Sequence, residues 1–237
     1  MGRRWVRVLA VTVVVLAVLF VTADRVAVHV ADKEVLRLAQ EKYGYANTTD
    51  GHMSVAIQGF PFVTQAIGGD FRHVTLTAEK FFIDTTDNRQ GGYLDIARLS
   101  LDLRGVSVTS LTARSAQADL ATGTLTLSYD DLSGVVTRLA RAGGPLRVSR
   151  APGSDGQEAR LRVSGTVGGT PLNGTGTLLA QGSELTLTVP GAPDAGCAWK
   201  MSLPVGLGFT AARATADGIE ISLVGHQVTL GSSRFDA

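Results

Sequence analysis

The sequence predicts an α+β protein dominated by antiparallel strands, and three observations predict it. From His52 onward apolar and polar residues alternate at a period of two, as in Met53, Val55 and Ile57 or Leu99, Leu101 and Leu103. The 237 residues include 28 glycines and are only 18% charged, a composition that suits strands joined by tight turns better than a helical bundle. Helical spacing is confined to residues 24–43, to residues 130–142 and to one short segment between two strands.

The chain opens on Arg3, Arg4 and Arg7, followed by an uncharged apolar run from Val8 to Ala23 (VLAVTVVVLAVLFVTA), the layout of an export signal or a membrane anchor. At about 16 residues the run falls short of the roughly 20 that cross a bilayer core comfortably, which favours a cleaved signal over a permanent anchor. Val21 and Ala23 are small enough to serve a signal peptidase that cuts before Asp24. If the segment is uncut, the arginines stay inside and the body faces out. Residues 1–23 are therefore expected to be a signal peptide or N-terminal membrane anchor, and residues 24–237 one elongated domain. The expected compartment is the cell envelope, either a periplasm-like space or the outer face of the cytoplasmic membrane.

From Asp24 to about Tyr43, Val28, Val35, Leu38 and Ala39 lie near helical spacing, with Asp32, Lys33, Glu34, Arg37 and Glu41 mostly opposite. This predicts one amphipathic helix capped by Gly44. Two strands follow, Met53–Val55–Ile57 and Val74–Leu76–Ala78. Between them lies GFPFVTQAIGGDF, in which Pro61 pre-sets a turn or first helical position. Phe62, Val63, Ala66 and Ile67 are expected on one side of a short helix that Gly68 and Gly69 stop.

The same alternation marks Leu125, Leu127 and Tyr129, then Leu161 with Val163, Leu185 with Leu187 and Val189, and Ile219 with Ile221 and Leu223. The apolar parity flips between Ile96 and Leu99, which predicts a bulge or bend. Asp217 and Gly218 predict a two-residue hairpin, with Val228 and Leu230 in a closing strand. A second helix is expected at 130–142, with Asp130 and Asp131 in its first turn and Arg138 and Arg141 near its end, as the helix dipole prefers. Val148 to Glu158 reads as an exposed loop or a soft boundary between two halves of the fold.

With 22 basic and 21 acidic residues, no overall field attracts nucleic acid, so partners are expected to be selected by shape and apolarity. The single cysteine, Cys197, excludes an intramolecular disulfide and a thiolate zinc site, and reads as a small buried hydrophobe. None of His29, His52, His73 and His226 has a partner at metal-binding spacing. No nucleophile elbow, phosphate loop or dinucleotide fingerprint occurs; GTGTLL at 174–179 reads as a backbone bend in a strand. Asp84, Asp87 and Asn88 lack the glycine and later glutamate of a calcium loop, and two glycosylation sequons, at Asn47 and Asn173, carry little weight. No catalytic residue, metal or cofactor is expected, and the chain reads as a binding module and not an enzyme.

What the catalytic motifs leave over is apolar. Phe60, Phe62, Val63, Ala66, Ile67 and Phe71 cluster around the short helix, and MSLPVGLGF offers Met201, Leu203, Val205, Leu207 and Phe209 interleaved with Gly206 and Gly208. Such alternation suits either close backbone packing or a slot for an acyl chain. Arg72 and His73, just past Gly69, are candidates for a phosphate at a groove mouth.

The run MSVAIQGFPFVTQAIGGDFRHVTLTAEKF at 53–81, preceded by an apolar leader and an amphipathic helix, resembles the LmeA-like family of actinobacterial phospholipid-binding envelope proteins. The likeness extends to the DGIEISLVGHQVTL ending, and Phe60, Pro61, Phe62, Gly68, Gly69 and Phe71 are its signature positions. The resemblance implies a tubular lipid-binding architecture, in which a long curved antiparallel sheet wraps the N-terminal helix and leaves an apolar groove. It also implies a phospholipid or glycolipid partner at a membrane surface, and a role in lipid or glycolipid transfer or maturation. The residues expected to line the groove are Phe60, Phe62, Val63, Ala66, Ile67, Phe71, Met201, Leu203, Leu207 and Phe209. The competing expectation is an exported scaffold that binds other envelope proteins without lipid.

Overall fold

The computed structural model describes residues 13, 16–33, 52–84, 93–110, 115–140, 144–153, 158–189, 197–201 and 203–230. Helix α1 covers residues 16–33 without a break, so the described parts of the apolar run and of the amphipathic segment form one helix that passes through Asp24. The reason lies in composition: neither glycine nor proline occurs between Val8 and Tyr43 to interrupt it. Residues 34–44, where the helix was expected to continue and be capped, lie outside the described residues.

Strand β1 (His52–Gln58), helix α2 (Phe62–Gly68), β2 (Asp70–Asp84), β3 (Tyr93–Ser110) and β4 (Ser115–Leu127) come next. They are followed by helix α3 (Tyr129–Leu139), β5 (Arg147–Arg150), β6 (Glu158–Val167), β7 (Thr170–Gln181), β8 (Glu184–Thr188), β9 (Cys197–Lys200), β10 (Leu207–Ala214) and β11 (Ile219–Leu230). Where the resemblance implies one long sheet, the strands divide into two, both antiparallel and open. A six-stranded sheet runs β1-β2-β3-β4-β11-β10 and a five-stranded sheet runs β5-β6-β7-β8-β9. The sheets touch through a two-way backbone bridge, with Gly182 N–H donating to Phe209 O at 3.1 Å and Phe209 N–H donating to Gly182 O at 2.7 Å.

The inner faces of the two sheets and helix α3 enclose the main core. Ile219, Ile221, Leu125 and Leu127 from the first sheet meet Leu161, Val163, Leu178, Leu185 and Leu187 from the second, with Leu132 and Val136 of α3 beside them. Helix α3 starts one residue earlier than expected. Tyr129 is its first residue and not a strand position, because Ser128 caps the helix by accepting the Asp131 N–H at 3.0 Å. The Tyr129 hydroxyl then donates to Thr215 O at 2.6 Å, and burial pushes its phenol pKa up.

Several local expectations change. Residues 147–150 form β5 and are no loop, since Ser133 Oγ of α3 accepts the Val148 N–H at 2.8 Å and Val148 is buried. The glycines of GTGTLL sit in regular register within β7, with no bend, and a Cβ on Gly176 would meet the Thr188 carbonyl at 2.7 Å. The β10–β11 hairpin is closed by Thr215 N–H donating to Gly218 O at 2.7 Å, so its two tip residues are Ala216 and Asp217, one earlier than expected. Val228 and Leu230 belong to β11 itself. The parity flip near Ala97 is a bend without an extra residue: Glu79 pairs Arg98 and Phe81 pairs Ile96, while Lys80 between them takes a left-handed φ of 52°.

Candidate functional site

The feature that organises the apolar surface of the six-stranded sheet is a second crease. Gly105 of β3 and Gln227 of β11 both have left-handed φ, 60° and 51°, and Asp119 of β4 lies between them in register. Gln227 fixes the line, donating from Nε2 to Asp119 Oδ1 at 3.1 Å and accepting from Gln117 Nε2 at 2.9 Å. Any side chain at position 105 would collide with the Asp119 carboxylate, so glycine is required there on two counts. A regular strand turns alternate residues to opposite faces. The crease breaks that rule, and Leu103 with Val106, and Ala121 with Ala118, all turn inward.

The result is an apolar row that runs across the sheet from β2 to β10. Leu103, Val106, Ala118, Ala121 and Val228 form its buried part, and Phe71, Val74, Ala116, Leu207 and Leu230 are half-buried against it. No described residue of the five-stranded sheet belongs to this row. The closed core and the creased row are thus successive parts of one sheet face with different cover.

At the β1 edge the row meets the two N-terminal helices. Asp24, Ala27, Val28, Ala31 and Asp32 recur every three or four residues and occupy one side of α1. Val28 packs with Ile57 and Phe62, and Ala27, Ala31, Phe71 and Val74 close around them. Asp32 was expected on the solvent side; instead its Oδ1 accepts the Ile57 N–H at 3.0 Å, a donor that edge strand β1 would otherwise leave unpaired. Asp24 Oδ1 accepts the Val63 N–H at 2.9 Å. Helix α2 begins after Pro61, which has no side-chain acceptor, so its cap comes from α1. Sequence reasoning missed both contacts, and neither has a local signal, since the partners lie 25 and 39 residues apart.

Gln65 was missed too. It is buried in α2, where its Nε2 donates to Pro61 O at 3.3 Å and its Oε1 accepts the Arg72 N–H at 2.9 Å. That bridge sets which side of α2 faces inward. Phe62 and Gln65 point in, while Ala66 and Ile67 point out, against the expectation that Phe62, Val63, Ala66 and Ile67 share a face.

The ten residues expected to line one groove fall into three groups. Phe62 and Phe71 stack with centroids 6.1 Å apart at the helix end, and Phe71 continues into the creased row, which Leu207 joins from the opposite edge. Met201 and Phe209 are buried in the closed core, and Leu203 and Leu207 pack against it, so Leu207 borders both the core and the row. Phe60, Ala66 and Ile67 face outward and Val63 is half-buried. The glycines of the second stretch serve close packing: a Cβ on Gly206 would meet the His226 carbonyl at 2.9 Å, and one on Gly208 the Gly182 carbonyl at 3.3 Å.

The outer face of the sheet is polar. His73 Nε2 pairs with Asp102 Oδ2 at 2.5 Å, and Arg104 Nε lies 3.3 Å from the other carboxylate oxygen. The hydrogen bond from His73, with Arg104 adding to it, holds the Asp102 carboxyl below the 3.8 of an ordinary aspartate. His73 is therefore committed to Asp102 on the face opposite Val74. His226 lies on the same cross-strand row three strands away, roughly 14 Å at ordinary strand spacing, so the two imidazoles do not converge. A shallow trough of about 410 Å³ on this face has a mixed lining, with Ser100, Asp102, Thr122 and Ser222 beside Leu223 and Val224. Among the described residues no three His, Cys, Asp or Glu side chains are placed to hold a metal ion, and no helix is long and apolar enough to cross a membrane.

No curated protein and no solved structure matches the chain. The model of one protein family, LmeA-like phospholipid-binding, matches residues 22–224, nearly the whole chain. The match begins inside α1 and ends inside β11, so it takes in the helix clamp and Gly105 and Asp119 of the crease, and stops short of Gln227. By that match the chain belongs to the LmeA-like phospholipid-binding family.

Proposed function

We propose that this protein is a non-catalytic carrier of phospholipid acyl chains in the cell envelope, and that it presents phospholipid or glycolipid to transfer or maturation steps there. One observation carries the reading. The apolar row that starts at Phe71 and ends where Leu207 borders the closed core includes no described residue of the second sheet, and its edge residues Phe71, Val74, Ala116 and Leu230 are only half-buried. Burying a lipid chain along it would gain roughly 25 cal/mol per Å² of apolar area removed from water. Arg72, exposed beside Phe71 in sequence, is the cation this reading assigns to a head-group phosphate. The family supports the phospholipid, and the basic-then-apolar N-terminus supports export.

Phe71 and Leu207 are the groove residues this reading keeps; Met201, Leu203 and Phe209 serve the closed core. To test it, the chain is produced in an exporting host, purified and extracted with organic solvent. Phospholipid is expected in the extract at a fixed ratio to protein. An extract free of lipid, from protein that also fails to take up phospholipid from vesicles, would sink the proposal.

A further inference from the structure

At the N-terminal end of the molecule the exposed apolar residues are gathered on two neighbouring elements. In α1, Leu16, Val18, Leu19, Phe20 and Val21 are all exposed, and at 100° per residue they point to every side of the helix. A protein groove covers one side of a helix; only a surrounding apolar medium satisfies all of them. Helix α2 adds Ile67, 83% exposed, and Phe60, 45% exposed, just before it. The two elements are contiguous: the Phe20 and Phe60 rings meet edge to face at 6.2 Å, and the Arg25 guanidinium sits 5.7 Å over the Phe60 ring. An exposed cation over an aromatic ring at the foot of an apolar helix is an arrangement suited to the head-group layer of a bilayer.

The joint between the elements is built to be stiff. Asp24 is wholly buried, and its Oδ1 holds the Val63 N–H. Its Oδ2 has no hydrogen-bond partner among the described residues, and Arg25 Nη2 lies 4.0 Å away. Eight residues on, Asp32 ties the same helix to β1. A buried carboxylate with one oxygen unsatisfied is costly, and here its other oxygen fixes the angle between the apolar helix and α2.

We infer that α1 is retained in the mature protein, enters the lipid bilayer at its apolar end, and through Asp24 holds Phe60 and Ile67 in the head-group layer, so that the creased row opens at the membrane surface. This rests on the lipid-carrying reading only for what the row does. The docking geometry stands on α1, α2 and Asp24.

The test uses the full chain with Cys197→Ala and a single new cysteine carrying an environment-sensitive nitrobenzoxadiazole label, at Ile67→Cys or, as control, at Val224→Cys on the outer sheet face. Vesicles of phosphatidylcholine and phosphatidylglycerol in equal amounts should brighten the Ile67→Cys label several-fold and leave the Val224→Cys label unchanged. Adding Asp24→Ala should return the Ile67→Cys label to its aqueous intensity while the chain still floats with the vesicles through α1. Asp24→Asn, which keeps an oxygen acceptor, should restore the response.

A dim Ile67→Cys label on vesicle-bound chain overturns the inference, as does a response indifferent to Asp24→Ala. So does brightening on concentration without vesicles, which would mean that a second copy covers the patch. An exported protein whose intact mass begins at Asp24 overturns retention of α1. Lipid content is read on the same preparation, so loss of bound lipid with the Ile67→Cys response intact counts against the carrier reading alone.

Discussion

The two ends of the six-stranded sheet use the same inner face for opposite purposes. Where it faces the second sheet, Leu125, Leu127, Ile219 and Ile221 meet β6, β7, β8 and α3 and are buried, with half-buried residues such as Leu76, Leu99 and Leu172 at the margin. Past the crease at Gly105 and Gln227, no described residue of that second sheet joins the row, and Phe71, Val74, Leu207 and Leu230 stay half-buried. The difference teaches where stability and binding reside. A close-packed interior resists any change of volume, whereas a row with incomplete cover can exchange water for a ligand at little cost to the fold.

The largest effect should come from the closed end. Ile221→Ala removes a fully buried side chain between the sheets and should cost about 2–5 kcal/mol in denaturant unfolding, with lipid bound per folded molecule unchanged. At the open end the balance reverses. Leu207→Asp places a carboxylate in the creased row and should weaken lipid binding at least tenfold, about 1.4 kcal/mol, while changing the unfolding midpoint less than Ile221→Ala does. If the two variants moved stability and binding in parallel, the contrast between the ends would be lost.

The smallest effect belongs to the outer face, which takes part in neither end. Asp102 titrates below the ordinary aspartate value in the folded state, so its contribution is complete at neutral pH and disappears as pH falls through that lowered value. The melting temperatures of the native chain and of Asp102→Asn should therefore differ slightly near neutrality and converge as the pH is taken below the 3.8 of an ordinary aspartate. The pair is about one-third exposed, and solvent keeps the difference small.

How much of this was legible in the sequence follows from the range of each interaction. Period-two alternation placed Met53, Val55, Ile57, Leu161, Val163 and Ile221 on inward faces correctly, because a strand's facing depends on its nearest neighbours. The glycines at 68 and 69 marked the end of α2 for the same reason. Whether an apolar residue met another sheet or a gap was invisible, and so Met201 and Phe209 were grouped with Phe62 although they lie in different clusters. Asp24 and Asp32 looked like ordinary polar positions, since their partners are tens of residues away. The crease was the hardest to foresee: Gln227 carries no turn signature, and only its bonds to Gln117 and Asp119 explain its left-handed backbone.

The central claim, that the open end of the sheet shelters acyl chains, is tested most directly by the affinity of the purified chain for single-chain lysophospholipids of one head group and increasing chain length, measured by titration calorimetry below micelle formation. Burial along the row predicts a gain of about 0.8 kcal/mol, nearly fourfold, for each added methylene until the row is filled. Affinity that follows the head group and ignores chain length would contradict it.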